Sequence, residues 1–221
     1  FYRLGNKIDH RVKKYDSLPP KDYKKWAVIC EHIIKHYNEG WANGFFHNIE
    51  YWEIWNEPEC VNADGSNPCW QGTPEEFIEF YTVVATHLKK CFPHLKIGGP
   101  AFTSPWRNKF KRDFLKNVKE NNVPLDFYSY HCYAANPIGI YESVIEGEKA
   151  LAEYGLEGTE TILNEWNYVK GWLGQDWMDT LEGEQGLLGS SFTASAMIVS
   201  LSTITPRSMI WNPLQLKTML V

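Results

Sequence analysis

The sequence predicts an α/β protein built on parallel strands, and the architecture it favours is a (β/α)8 TIM barrel. Short apolar segments of strand length alternate with amphipathic helical segments along the whole chain. None of the apolar segments alternates strictly with polar residues, as is typical of parallel strands buried on both faces. Polar and aromatic residues gather just after the strands, where a barrel of this kind builds its active site.

Five helices are predicted from apolar residues at helical spacing. The clearest begins with Thr-Pro-Glu-Glu at residues 73–76, a pattern typical of an N-cap, a first-turn proline and a capping-box glutamate. The predicted helices cover approximately residues 21–39, 73–92, 106–121, 141–154 and 184–202.

Six strands are predicted between the helices, at residues 1–4, 49–55, 96–99, 125–130, 160–163 and 208–211. An open, doubly wound sheet is the alternative architecture, and it would need a glycine-rich phosphate-binding turn after a strand. Gly98, Gly99 and Pro100 match such a turn poorly, because the proline removes a backbone amide. The barrel is therefore preferred, as a single domain over residues 1–221 without an internal linker.

Composition excludes several classes of partner. The net charge is −5 and no basic stripe is present, which argues against nucleic-acid binding. No apolar run approaches the roughly 18 residues needed to cross a membrane, and no Cys/His spacing is typical of zinc, so neither a metal nor a cofactor is predicted. Aromatic residues make up 15% of the chain, including ten tryptophans, and their flat apolar faces suit a sugar-binding cleft.

The five cysteines fall into two groups. Cys60 and Cys69 stand at opposite ends of one loop rich in Gly, Asn and Pro, and a disulfide between them is plausible. Such a bond would favour an extracytoplasmic location, secreted or periplasmic. Cys30, Cys91 and Cys132 lie in apolar sequence surroundings and are predicted to be buried thiols.

Two glutamates are the candidate catalytic residues. Glu57 and Glu165 each stand at the end of an apolar segment, directly before sequence typical of a loop. Two carboxyl groups presented from strand ends are the minimal equipment for cleaving a glycosidic bond, because one protonates the leaving oxygen while the other stabilises or attacks the sugar carbon.

The sequence around the first glutamate, Trp-Asn-Glu-Pro at residues 55–58, resembles the acid/base motif of clan A glycoside hydrolases. The wider pattern is most similar to glycoside hydrolase family 39, the family of β-xylosidases and α-L-iduronidases. The resemblance spans most of the chain and is carried, in family order, by residues 51–58, 96–101, 125–133, 162–167 and 208–212.

The resemblance implies a retaining mechanism, with the acid/base on the fourth barrel strand and the nucleophile on the seventh. Glu57 then corresponds to the acid/base and Glu165 to the nucleophile. Asn56 is implied to hydrogen-bond the sugar 2-hydroxyl.

Four further residues are implied to bind the substrate, an oligosaccharide or glycoside. Tyr133 is expected to hold the nucleophile in position, and His131 is expected to line the same subsite. Trp166 and Trp211 are expected to contact the sugar, with Trp211 as a stacking floor. Residues 164–167 read Asn-Glu-Trp-Asn where the family has Thr-Glu-Tyr-Asn, so the identity of the sugar stays open.

The same mapping makes residues 1–5 the third barrel strand, so the chain is expected to contain strands 3–8 and to lack the N-terminal part of the barrel. A barrel without two strands has two open edges, through which self-association is expected.

The leading functional hypothesis is a retaining, exo-acting β-glycosidase similar to β-xylosidases. The segments 59–72 and 166–183 carry Trp70, Trp172 and Trp177, which could close the cleft into the pocket of an exo-acting enzyme. One alternative is an endo-acting clan A glycanase with a longer cleft. The other is a non-catalytic, carbohydrate-binding barrel.

Overall fold

The computed structural model describes residues 1–5, 17–169, 180 and 189, and within them strands and helices alternate. The strands form one parallel sheet in the order of the chain, which confirms the predicted parallel α/β arrangement. The strand predicted at 208–211 and the helix predicted at 184–202 lie outside the described residues. The elements are β1 (Tyr2–Leu4), α1 (Tyr23–Asn38), β2 (Tyr51–Ile54), α2 (Pro74–Cys91), β3 (Lys96–Phe102), α3 (Lys109–Glu120), β4 (Phe127–Ala134), α4 (Pro137–Glu153) and β5 (Glu160–Tyr168).

Side-chain caps fix the beginnings of the helices. The predicted capping box of α2 is present: the Glu76 amide donates to the Thr73 hydroxyl at 3.1 Å, and the Thr73 amide donates to the Glu76 carboxylate at 2.7 Å. Helix α4 begins four residues before its predicted start, because Asn136 caps it by accepting a hydrogen bond from the Gly139 amide at 3.0 Å. Pro137 then occupies the first turn, where its missing amide costs nothing.

The helix-facing side of the sheet carries an aromatic core. Trp55 packs edge-to-face against Trp70 and Phe80, with ring centroids 5.1 and 5.3 Å apart. Trp70 is buried, and its indole N–H donates to the carbonyl of Thr73 at 3.0 Å. The expectation that Trp70 helps to close a substrate pocket is therefore wrong, since the ring belongs to the core. Trp172 and Trp177 lie outside the described residues.

The other face of the sheet is concave. Asn164 on β5 donates to the Glu53 carboxylate on β2 at 2.7 Å, and the Tyr51 hydroxyl on β2 donates to Glu160 on β5 at 2.9 Å. Strands β3 and β4 lie between these two, and in a flat sheet three strand spacings would hold β2 and β5 about 14 Å apart. The sheet must therefore curl, so that side chains on its inner face converge from non-adjacent strands.

Three strands extend past their predicted ends: β3 to Phe102, β4 to Ala134 and β5 to Tyr168. In β4 and β5, polar residues follow the apolar segments and are typical of a loop, and in β3 the Gly-Gly-Pro sequence at residues 98–100 has the same effect. Their backbones nevertheless continue the ladder. His131, Tyr133 and Glu165 are consequently strand residues and not loop residues.

A β-bulge in β5 decides which way its glutamate faces. Tyr130 pairs with Leu163, but the next residue of β4, His131, pairs with Glu165, so that Asn164 is an extra residue. Because side chains alternate along a strand, regular pairing would have turned Glu165 toward the helices. The bulge places Asn164 and Glu165 together on the concave face.

Gly98 is required where β3 and β4 approach closely. A Cβ at this position would lie 2.2 Å from the carbonyl oxygen of Phe127, a backbone atom that cannot rotate away. We expect Gly98→Ala to lower the free energy of unfolding by about 1–3 kcal/mol, as overpacking does. The matched control is Gly158→Ala, where a Cβ meets nothing within 4 Å. Urea denaturation checks both, and equal midpoints for the two variants would contradict the close approach.

Among the helices that the structure describes, none is both long enough and apolar enough to cross a bilayer.

Candidate active site

Glu57 lies just beyond β2, in a segment tied to the neighbouring strands. Its backbone has φ +47°, in the left-handed region, and its amide donates to the Ala101 carbonyl at 2.9 Å. The Ala101 amide donates in turn to the buried Ser129 hydroxyl on β4, also at 2.9 Å. A left-handed conformation at a residue other than glycine costs on the order of 1–3 kcal/mol, and these bonds to two strands hold it in place.

Glu165 is bound on one carboxylate oxygen and approached by a cation on the other. The Tyr133 hydroxyl donates to Oε1 at 2.6 Å, and Nη1 of Arg3 lies 3.8 Å from Oε2. Burial and the neighbouring Glu165 carboxylate raise the pKa of Tyr133 well above its ordinary value. The phenol therefore keeps its proton and remains a hydrogen-bond donor to Glu165 throughout the neutral range.

His131 lies between the two glutamates. The ring is fully buried, with Nδ1 2.7 Å from Glu57 Oε1 and Nε2 3.6 Å from Glu165 Oε2. Nη2 of Arg3 lies 3.4 Å from Nε2, and a guanidinium group can only donate. In the tautomer that accepts from Arg3 at Nε2, the ring carries its hydrogen on Nδ1 and donates it to Glu57.

The two carboxyl groups are close together. One oxygen each of Glu57 and Glu165 and a ring nitrogen of His131 all lie within 4.8 Å of one another. The Glu57 side chain is 21% exposed and that of Glu165 is 40% exposed, so both can reach a molecule in the concavity. Such a pair can protonate one atom and attack another a few ångströms away.

A second layer of polar residues supports this pair from deeper in the sheet. Glu53 is fully buried and accepts hydrogen bonds from the Arg3 guanidinium and from Asn164. Arg3 therefore bridges Glu53 and Glu165, while Asn164 links the bulge of β5 to β2. Glu53 and Arg3 were not predicted as site residues, although each is a charge in the middle of an apolar strand segment.

A buried ion pair anchors the segment after Glu57. Lys111 of α3 contacts Glu59 at 2.9 Å, and the two side chains are only 2% and 4% exposed. Glu59 also accepts from the amide and the hydroxyl of Thr103, at 2.9 and 2.8 Å, just after β3. Burial lowers the pKa of Lys111. This contact was also missed, because its partners are far apart in the chain.

The other predicted site residues differ in their placement. Asn56 is half-buried next to Glu57, and its Oδ1 has no hydrogen-bond partner among the described residues. Trp166 pairs with Cys132 in the β4–β5 ladder, on the face opposite Glu165, so the structure does not bring it together with the two glutamates. Trp211 lies outside the described residues.

Two groups of side chains at this site have the atoms needed to hold a cation. One consists of Glu57, His131 and Glu165, and the other of Glu57, Cys60 and Cys69. Cys60 and Cys69 are thiols in the structure, with sulfur atoms within 4.8 Å of each other. The disulfide considered from the sequence is thus not formed here, although the two residues are neighbours.

Comparison with known proteins supplies the family. The sequence profile of "Glycosyl hydrolases family 39" matches residues 8–168, more than half of the chain. The chain is 34% identical over 125 residues to a β-xylosidase from Geobacillus stearothermophilus and 32% identical over 147 residues to a β-xylosidase from Caldicellulosiruptor saccharolyticus. These matches cover 55% and 64% of this chain, but only 23% and 27% of the relatives.

A solved structure agrees with the sequence relatives. A glucosidase from Croceicoccus marinus superimposes with a TM-score of 0.64 at 31% identity, covering 72% of this chain and 33% of that protein. The chain therefore spans about a quarter to a third of the length of these proteins. Since the family profile covers most of the chain, including Glu57 and Glu165, the protein belongs to glycosyl hydrolase family 39.

Proposed function

We propose that the protein is a retaining glycoside hydrolase, acting as an exo-β-glycosidase of the β-xylosidase type. We further propose that the five strands are consecutive strands of a (β/α)8 barrel, the third to the seventh. Strands β2 and β5 then correspond to the fourth and seventh barrel strands, which carry Glu57 and Glu165. The curled parallel sheet supports this assignment.

The observation that carries the proposal is the short separation of the two carboxyl groups. Retaining enzymes hold the two carboxyl groups about 5–5.5 Å apart, whereas inverting enzymes leave about 6.5–9.5 Å for a water molecule between them. One carboxylate oxygen each of Glu57 and Glu165 within 4.8 Å of each other favours the first arrangement.

In the first step, Glu57 donates its proton to the glycosidic oxygen as the bond to the anomeric carbon breaks. Glu165 Oε2 forms a bond to that carbon, while Tyr133 holds Oε1, and the products are a glycosyl-enzyme ester and a free alcohol. In the second step, Glu57 removes a proton from water, the water oxygen bonds to the anomeric carbon, and the Glu165 carboxylate leaves. Two inversions give net retention.

The remaining predicted residues have binding roles in this proposal. The Asn56 amide would donate to the sugar 2-hydroxyl, and this contact strengthens as positive charge develops on the ring. Trp211 would supply the flat apolar face under the sugar. Trp166, on the helix-facing side of β5, would reach the substrate only from beyond the strand end, so its assignment has the weakest geometric support.

Proton NMR of the first product tests the mechanism. The full-length protein is incubated with an aryl β-xyloside and an aryl β-glucoside, because the relatives include enzymes named for each sugar. We expect β-xylose to appear first and to mutarotate afterwards to the α-anomer. An α-anomer as the first product would mean an inverting enzyme.

Release of xylose one unit at a time from xylohexaose separates exo action from endo action.

A smaller effect is expected from Tyr133→Phe. This change removes the 2.6 Å hydrogen bond to Glu165 and leaves the ring in place. A hydrogen bond to a charged group contributes about 1.5–3 kcal/mol, so kcat should fall by about ten- to a hundredfold. The matched control is Tyr141→Phe, because that ring lies exposed on α4. Steady-state kinetics measure the change. If kcat of Tyr133→Phe equals that of the wild type, the hydrogen bond from Tyr133 to Glu165 has no role in catalysis.

A further inference from the structure

Three metal-binding side chains meet on the outer helices, away from the two glutamates. His87 and Cys91 lie one helical turn apart on the same face of α2, and Glu31 of α1 faces them. Cys91 ends α2, and β3 begins five residues later, so the cluster lies near the amino ends of the strands. Cys91 is also exposed, so the sequence-based expectation of a buried thiol is wrong.

The distances in the cluster are those of a partly formed tetrahedral site. The Cys91 sulfur lies 3.7 Å from His87 Nε2 and 3.6 Å from Glu31 Oε2. Tetrahedral zinc, with bonds of about 2.3 Å to sulfur and about 2.0 Å to nitrogen and oxygen, separates sulfur from the other ligands by about 3.5 Å. His87 Nε2 and Glu31 Oε2, now 2.7 Å apart, would need to open to about 3.3 Å.

The carboxylate of this cluster is already oriented by another residue. Lys35, one turn along α1, donates a hydrogen bond to Oε1 of Glu31, which leaves Oε2 directed at His87 and Cys91. Residues that bind a metal usually have such a hydrogen-bond partner, which orients them from behind.

We propose that Glu31, His87 and Cys91 form a zinc site that joins α1 to α2, with solvent water in the fourth position. A mixture of thiolate, imidazole and carboxylate selects zinc over magnesium or calcium, which require oxygen ligands. The site lies at the end of the sheet opposite Glu57 and Glu165, so it stands apart from the proposed glycoside chemistry. Sequence spacing alone predicted no metal, because Glu31 comes 56 residues before His87.

Cobalt(II) titration of the full-length protein, purified without a histidine tag and reduced, tests the site. Cobalt(II) replaces zinc and reports its ligands: we expect the intense visible bands of tetrahedral geometry and a thiolate-to-cobalt charge-transfer band in the near ultraviolet. Zinc should displace cobalt with loss of both signals, and magnesium should not. Zinc should also raise the Tm by several degrees, while the rate on an aryl glycoside stays the same.

Matched variants separate this cluster from the two groups at the active site. Cys91→Ser should abolish the charge-transfer band, and His87→Gln should weaken zinc binding by more than about 100-fold. Cys69→Ser and His94→Gln, the latter at an exposed histidine just after α2, should bind as the wild type does. Circular dichroism confirms that each variant is folded. A charge-transfer band that survives Cys91→Ser, or no band in the wild type, would overturn the proposal.

Discussion

Glu165→Ala is expected to reduce kcat at least about 10⁴-fold on every glycoside, whatever its leaving group. The carboxylate that attacks the anomeric carbon is gone, and neither Tyr133 nor Arg3, two of the groups that contact it, can replace it. Azide is small enough to enter the vacated space and attack the same carbon directly. We expect an α-glycosyl azide from a β-glycoside, identified by NMR.

The matched change at the other carboxyl group should behave differently. Glu57→Ala removes the proton donor but keeps the nucleophile, so glycosides with poor leaving groups should slow far more than activated aryl glycosides. Azide should then attack the glycosyl-enzyme and give the β-glycosyl azide. Glu157→Ala, at an exposed loop glutamate, serves as the control and should keep wild-type rates. The same azide anomer from both variants would contradict the assignment of two distinct roles to Glu57 and Glu165.

Lys111→Met is expected to lower the free energy of unfolding by about 3–5 kcal/mol, because it leaves Glu59 as a buried charge without its partner. Both side chains are almost completely buried and 2.9 Å apart. The lost ammonium group also donates to the Ser104 carbonyl at 2.7 Å. Chemical denaturation of the full-length protein measures the change.

Two further variants show whether the loss of stability comes from the buried ion pair. Lys116→Met removes a lysine from the same helix whose pairing with Glu120, at 3.9 Å, is fully on the surface, and it should change stability by less than about 1 kcal/mol. The double variant Glu59→Gln/Lys111→Met should recover part of the loss, because no buried charge remains unpaired. If Lys116→Met and Lys111→Met cost the same, the pair is not buried in solution.

The parts of the fold that depend on local patterns could be predicted from the sequence. The capping box of α2 and the apolar stripes of the helices are encoded within a few neighbouring residues, and they appear as predicted. Glu57 and Glu165 could also be singled out as candidates, since each comes at the end of an apolar segment of the sequence. Trp70 could not be placed, because its burial depends on a carbonyl partner and on rings from α2.

The parts that depend on distant pairs were missed for the same reason. Glu53 looks like one polar residue within an apolar segment, yet its partners come from the first and last described strands. Likewise, Cys91 looked apolar from its neighbours, whereas the helix turns its thiol toward Glu31. Such contacts can be predicted only when the curvature of the sheet and the rotation of each helix about its axis are known.

The bulge at Asn164 makes the spacing of residues along β5 as important as their identity. If the same residues paired evenly, Asn164 would lie opposite His131 and Glu165 opposite Cys132, so the Glu165 carboxylate would point toward the helices although every chemical group of the strand would be preserved. Divergence in this strand is therefore expected to keep the bulged register. In alignments and in engineered libraries, a gap at residue 164 would leave Glu165 opposite His131 on the concave face, and its cost would be the hydrogen bond from Asn164 to Glu53.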